Sequence, residues 1–172
     1  AFQPGKGIPE IPSDPQRLRL DFLPFVERTV QPYGMVIDDI FYYHEVLNPW
    51  INARDPERAK DKRKFIVRRD PRDISVVYFF DPEAHQYYEI PYRNTAHPPI
   101  SVWELRAAQQ RAKEEGRAHV DEDTIFEAVG RMRERVEAAI TKTKAARRQL
   151  HRVKTTQQSA KAREAKSEVS PS

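Results

Sequence analysis

A mainly β body followed by α-helix is what the sequence predicts. In detail it is a small six-stranded antiparallel β-barrel over 18–99, then two helices over 100–153, then a disordered basic tail over 154–172. Three observations predict it. Between Lys64 and Pro91, β-branched and aromatic residues recur at period two in three runs parted by Asp-Pro pairs, the mark of strands that pack one face on a core. Shorter runs of the same kind precede them from Arg28 to Tyr43, and short strands at regular spacing suggest a small barrel. From Ser101 onward the apolar spacing changes to three and four, that of a helix.

Taken in order, residues 1–17 carry Pro4, Pro9, Pro12 and Pro15 with Gly5 and Gly7. Prolines at this density suit an extended linker, here expected to lead in from an upstream domain. Leu18 to Phe25 begin the apolar body, with Pro24 barring a helix. Arg28–Gln31 is an expected strand, Pro32-Tyr33-Gly34 a turn and Met35–Ile37 the returning strand. Asp38-Asp39 is a tight connection and Ile40–Tyr43 the third strand. Glu45–Ile51 is expected to be a helical turn that plugs one end with Trp50, and the charged loop Asn52–Arg63 is expected to be exposed. The meander Lys64–Pro91 follows. Asp70-Pro71 and Asp81-Pro82 put Asp where it can bond its own backbone, and Pro where its fixed φ fits a turn.

Ile100-Ser101-Val102-Trp103-Glu104-Leu105 is a helix start: Ser101 caps, Glu104 reaches back, and Ile100 and Leu105 form the staple. That helix should stop at Gly116. Asp121 caps the next one, whose Ile125, Val129, Met132, Val136 and Ile140 form one stripe, and which is expected to end near Val153. The remaining polar, aromatic-free stretch reads as disordered when unbound.

The chain has 172 residues, no cysteine, and a net charge of +4. Absence of cysteine excludes a disulfide framework and thiolate metal sites, and suits a reducing cytoplasm. No apolar run approaches the roughly 18–20 residues that span a bilayer. The chain begins Ala-Phe-Gln, which suggests a piece of something longer. Charge is unevenly spread. From Ala138 to Arg163 there are Lys142, Lys144, Arg147, Arg148, Arg152, Lys154, Lys161 and Arg163 but no Asp or Glu, and a second basic cluster runs from Arg54 to Arg72. Such clusters point to phosphate backbones, or else to a solvated face with a loose tail.

Catalytic constellations are not assembled by spacing. Asp38 and Asp39 are adjacent, and consecutive strand residues point to opposite faces, so a turn is the simpler reading. The histidines His44, His85, His97, His119 and His151 show no metal-site spacing, and each reads as a surface or turn residue. No phosphate-cradling glycine loop or Gly-flanked serine occurs. Catalytic residues, metal ligands and cofactors are therefore expected to be absent from this segment. The DNA-contact candidates are Lys62, Arg63, Lys64, Arg68, Arg69 and Arg72 in the β body, and Lys142, Lys144, Arg147, Arg148 and Arg152 in the helical region. Arg68 and Arg69 should point to opposite faces. Salt bridges to Asp61, Asp70 and Asp73 are the competing use of the first group. Tyr42, Tyr43, Tyr78, Tyr87, Tyr88 and Tyr92 are either core residues or stacking platforms for single strands.

The stretches LDFLPFVERTVQPYGMVIDDIFYY (Leu20–Tyr43), LNPWI (Leu47–Ile51) and KFIVRRDPRDISVVYFFDPEAHQYYEIPYRN (Lys64–Asn94) resemble the C-terminal part of a Mu-type DDE transposase of the TniA/TnsB-like kind. Arg68–Ser75 is the most telling piece. The resemblance implies an upstream catalytic domain, not in this chain, whose acidic residues bind Mg2+ for strand cleavage and transfer. It implies a β-barrel that contacts double-stranded DNA and helices that hold transposase subunits together. It also implies a bacterial, nucleoid-associated protein whose C-terminus, Lys154–Ser172 by position, engages an AAA+ target-selection ATPase. The segment itself is then no enzyme but part of the machinery of DNA transposition and integration. The alternative is a protein-interaction module without direct DNA contact, its stripe used for docking. A self-contained nuclease needs a carboxylate cluster that the spacing does not supply.

Overall fold

The computed structural model describes residues 14–169. Its order is α1 (Pro15–Asp21), β1 (Phe25–Arg28), β2 (Met35–Ile37), β3 (Ile40–Tyr42), a 3-10 helix (Glu45–Trp50), β4 (Phe65–Asp70), β5 (Asp73–Asp81), β6 (Gln86–Pro91), α2 (Val102–Glu114) and α3 (Glu122–Glu168). All strand pairs are antiparallel. The described residues fall into two compact units that meet at Val129–Gly130, inside α3.

The expected six-stranded barrel is not there. The strands form a four-stranded sheet in the order β1-β4-β5-β6 and a separate hairpin, β2-β3. The hairpin has only three paired positions, so it offers few backbone groups to a neighbouring strand edge. Towards β6 it makes one isolated bridge, Tyr42 to Tyr92, flanked by Tyr43 N–H to the Pro91 carbonyl and Arg93 N–H to the Phe41 carbonyl. Pro91 has no N–H with which to extend a ladder. Towards β1 the link is a side chain: Arg28 Nε donates to the Val36 carbonyl at 3.1 Å. Closure would need ladders at both seams.

The turns follow from residue type. Asp38 and Asp39 have φ of 50° and 67°, the paired left-handed conformation of a tight hairpin that Asp tolerates. Gly34, at φ 99°, is obligatory because a Cβ there would lie 2.1 Å from the Tyr42 carbonyl oxygen. Both Asp-Pro turns close as expected: Asp70 accepts from Arg72 N–H at 2.9 Å, and Asp81 from Glu83 N–H at 2.8 Å. The alternation in β5 breaks between Ile74 and Val77, both buried. There Asp73 takes the Ser75 N–H and hydroxyl, and the register to β4 shifts, a bulge that period-two reading passes over.

One core joins sheet, hairpin and helices in the first unit. Trp50 of the 3-10 helix packs edge-on against Phe65 at 5.2 Å, and Phe65 lies 5.2 Å from Phe79. Tyr42 is fully buried, its hydroxyl donating to the Ile74 carbonyl at 2.7 Å. Ser101 and Glu104 form the expected capping box, and Ile100 and Leu105 are buried. Gly116, at φ 75°, ends α2 with Arg117 N–H bonded to the Ala112 carbonyl and Gly116 N–H to the Lys113 carbonyl, the Schellman pattern. Asp121 caps α3 by accepting from Thr124 N–H at 2.9 Å; the Thr124 hydroxyl first, and then this N–H, hold its carboxyl below the usual range.

Three further expectations need correction. Pro15 lies not in a linker but at the start of α1, whose N-cap is Asp14. Residues 1–13 lie outside the described residues. The first strand is Phe25–Arg28, starting three residues earlier than Arg28, because Pro24 can precede a strand as readily as end a helix. The helix expected to stop near Val153 continues to Glu168. The stretch 154–168 contains no Gly or Pro and is rich in Ala, Lys, Gln, Arg and Glu, all good helix formers.

Candidate nucleic-acid interface

The sheet-borne cations are mostly engaged. Arg68 and Arg69 do point to opposite faces of β4. Phe65 and Val67 are buried with Arg69 on the inner face, and Ile66 and Arg68 lie on the outer one. Arg69 pairs with Asp38 at 2.6 Å, its side chain only 14 % exposed. Arg68 donates Nε to the Tyr87 hydroxyl at 2.8 Å and a terminal nitrogen to the Leu23 carbonyl at 2.7 Å, with its guanidinium 5.3 Å from the Phe25 ring centre. Arg72 is bidentate on Asp70, with contacts of 2.7 and 3.0 Å. This pairing lowers the Asp70 pKa to about 2 and raises that of Arg72. Arg63 lies over the rings of Trp50 and Phe65 at 5.1 and 5.5 Å. Lys62 donates to the Gln31 side chain at 2.9 Å. Lys62 and Lys64 line an open groove together with Glu27, Asp55, Glu57 and Asp61, so acid and base alternate there.

Of the acids foreseen as competitors, Asp70 is used. Asp38 is a partner that sequence spacing could not foresee, because it lies 31 residues from Arg69 and reaches it only through the hairpin turn. The tyrosines divide as well. Tyr42 and Tyr92 are buried, while Tyr43, Tyr78, Tyr87 and Tyr88 are half-buried. Tyr87 also donates to Asp21 of α1 at 2.7 Å. His97 is not a surface residue: its ring stacks on Phe126 at 3.9 Å and 7°, with a side chain 12 % exposed. His85 sits at positive φ, and His44 accepts from Val46 N–H to start the 3-10 helix.

The helical candidates have a different environment. Lys142, Lys144, Arg147, Arg148 and Arg152 all lie on α3 and are exposed. Lys144, Arg148 and Arg152 stand four residues apart, which places them in one row along the helix. No Asp or Glu occurs from Ala138 to Arg163, so no carboxylate of α3 stands three or four residues from Lys144, Arg148 or Arg152.

Among the described residues, no group of three His, Asp or Glu side chains is placed to hold a metal ion. No helix among them is long and apolar enough to cross a membrane. No curated protein matches the chain. A family model does, over residues 19–88: that of the Mu transposase C-terminal domain. This is the non-catalytic part of such a transposase, and it covers the strands and turns described above as far as Tyr88. Over residues 19–88 the chain is thus similar to the C-terminal domain of Mu-type transposases, in agreement with the likeness carried by Leu20–Tyr43 and Arg68–Ser75.

Proposed function

We propose that this segment is the DNA-gripping, non-catalytic portion of a TniA/TnsB-like transposase. It holds duplex backbone without base preference and helps assemble the transposase–DNA complex, while cleavage and Mg2+ chemistry belong to another domain. The observation that carries the reading is the row Lys144, Arg148 and Arg152 on α3, exposed and without acidic neighbours from Ala138 to Arg163. Like charges four apart on a helix repel by about 0.2–0.5 kcal/mol per pair. A row of phosphates turns that repulsion into attraction and releases condensed counterions. Contacts of this kind position a protein on DNA but carry no sequence information.

The sheet supplies less to this grip than charge counting suggests. Arg69 and Arg72 are committed to Asp38 and Asp70, and Lys62 and Lys64 share their groove with carboxylates. Arg68 lies on the outer face of β4 beside exposed Phe25, but its guanidinium is already held by the Tyr87 hydroxyl and the Leu23 carbonyl.

The test is a salt titration of binding to several unrelated duplexes. Log affinity should fall linearly with log salt, by about 0.9 per phosphate neutralised. Arg148→Glu should weaken every duplex alike and make the slope shallower by about one. Salt-independent binding, or a loss confined to one sequence, overturns the proposal.

A further inference from the structure

A second face of α3 carries a different pattern. Within the unit that begins at Gly130, Val136, Thr143 and Leu150 stand seven residues apart, and Ala139, Ala146 and Val153 follow each of them by three. Alternating steps of three and four give a period of 3.5, which keeps one seam turned towards a partner helix when the pair supercoils left-handedly. The large members of this seam are in solvent: Val136 is 59 % exposed, Leu150 63 % and Val153 47 %, with Ile140 beside them at 48 %. Lys144, Arg148 and Arg152 lie on the opposite side of the helix, outside seam and flanks.

The flanks decide what fits. Arg135 and Lys142 stand on one side of the seam, Arg147 and Lys154 on the other. A second copy of the chain in parallel register sets Lys142 against Arg147, and an antiparallel copy sets each flank against itself. Both arrangements put cation on cation, and α3 has no carboxylate between Ala138 and Arg163 to relieve it. Flanking charges choose the partner and orientation in such pairs.

We infer that this face docks one amphipathic helix of a different protein, with aliphatic residues on its seam and Glu or Asp on both flanks, as a two-stranded coiled coil. Thr143, Ala139 and Ala146 make the seam thin, so the paired helices lie close and the flanking ion pairs set the preference. The inference stands on the seam and its flanks, not on the DNA reading, which uses the other face.

The experiment uses the full chain and two synthetic four-heptad peptides with Val and Leu at the seam positions. One carries Glu at every flanking position and the other Lys. The chain should bind the Glu peptide with a gain of helical circular dichroism, and the Lys peptide at least about tenfold more weakly. The double variant Val136→Ser, Leu150→Ser should lose about tenfold in affinity for the Glu peptide while binding duplex DNA as before. The inference falls if neither peptide binds, or if the double variant binds the Glu peptide as well as the parent does, since the helix is then merely a polycation. It also falls if sedimentation shows the chain alone dimerising through residues that the double variant removes. Loss of DNA binding in Arg148→Glu with the peptide affinity kept separates this inference from the preceding one.

Discussion

The Asp70–Arg72 pair shows how a single residue is spent before it can serve a ligand. The Arg72 side chain bonds Asp70 first, and its backbone N–H adds to that, so the carboxyl is held at about 2 against an ordinary 3.8. A carboxylate whose folded pKa is depressed contributes stability that is present above the ordinary value and is lost as pH falls through the folded one. The window is therefore from about pH 4 down to about pH 2, and the contribution is small because Arg72 is exposed. In Arg72→Ala the Asp70 midpoint should rise by roughly one pH unit, read from the carboxyl carbon in an NMR titration. An unchanged midpoint would show that the turn backbone alone sets it. The sequence made this pairing legible because both residues lie in one Asp-Pro turn. It concealed the Arg69–Asp38 pair, which depends on where a distant hairpin turn comes to rest.

At the scale of elements, local chemistry was legible wherever it was local. The capping box at Ser101, the Gly116 stop, the Asp121 cap and both Asp-Pro turns stand where residue type put them. What escaped was set by partners far along the chain. Whether strands close into a barrel depends on ladders between their edges, and Pro91 and the short β2-β3 hairpin deny them. The start of α1 was readable in principle, since Asp14-Pro15 is an N-cap followed by Pro at the first helical position; the prolines before it masked the signal. The capping box also bears on stability, because α2 starts next to two anchoring bonds, Ile74 N–H to the Ile100 carbonyl and Val102 N–H to the Pro71 carbonyl. Ser101→Ala should cost about 1 kcal/mol, measured as a lower midpoint in urea with an unchanged slope. Ser101→Asp, which keeps an acceptor for the Glu104 N–H, should recover most of it.

At the scale of the whole molecule, the first unit has a buried core and the second is a helix whose side chains face water. Trp50, Phe65, Phe79, Tyr42 and Ile74 lie in one core, whereas every residue from Arg133 to Val169 is exposed. Local opening costs least where few apolar contacts are lost, and a helix without packing is only marginally stable in water. Hydrogen exchange should therefore find the amides of β4 and β5 protected up to global unfolding, and those of α3 beyond about Met132 exchanging much faster. The stretch from Thr155 on reads as a disordered tail because it is polar and aromatic-free, yet up to Glu168 it holds no Gly or Pro to end the helix. On the proposed DNA grip, saturating duplex DNA should raise protection through Lys142–Arg152 and leave β4 and β5 unchanged. If the added protection appeared on the sheet instead, the grip would lie with Arg68 and its neighbours, and the Lys144–Arg148–Arg152 row would be a solvated face only.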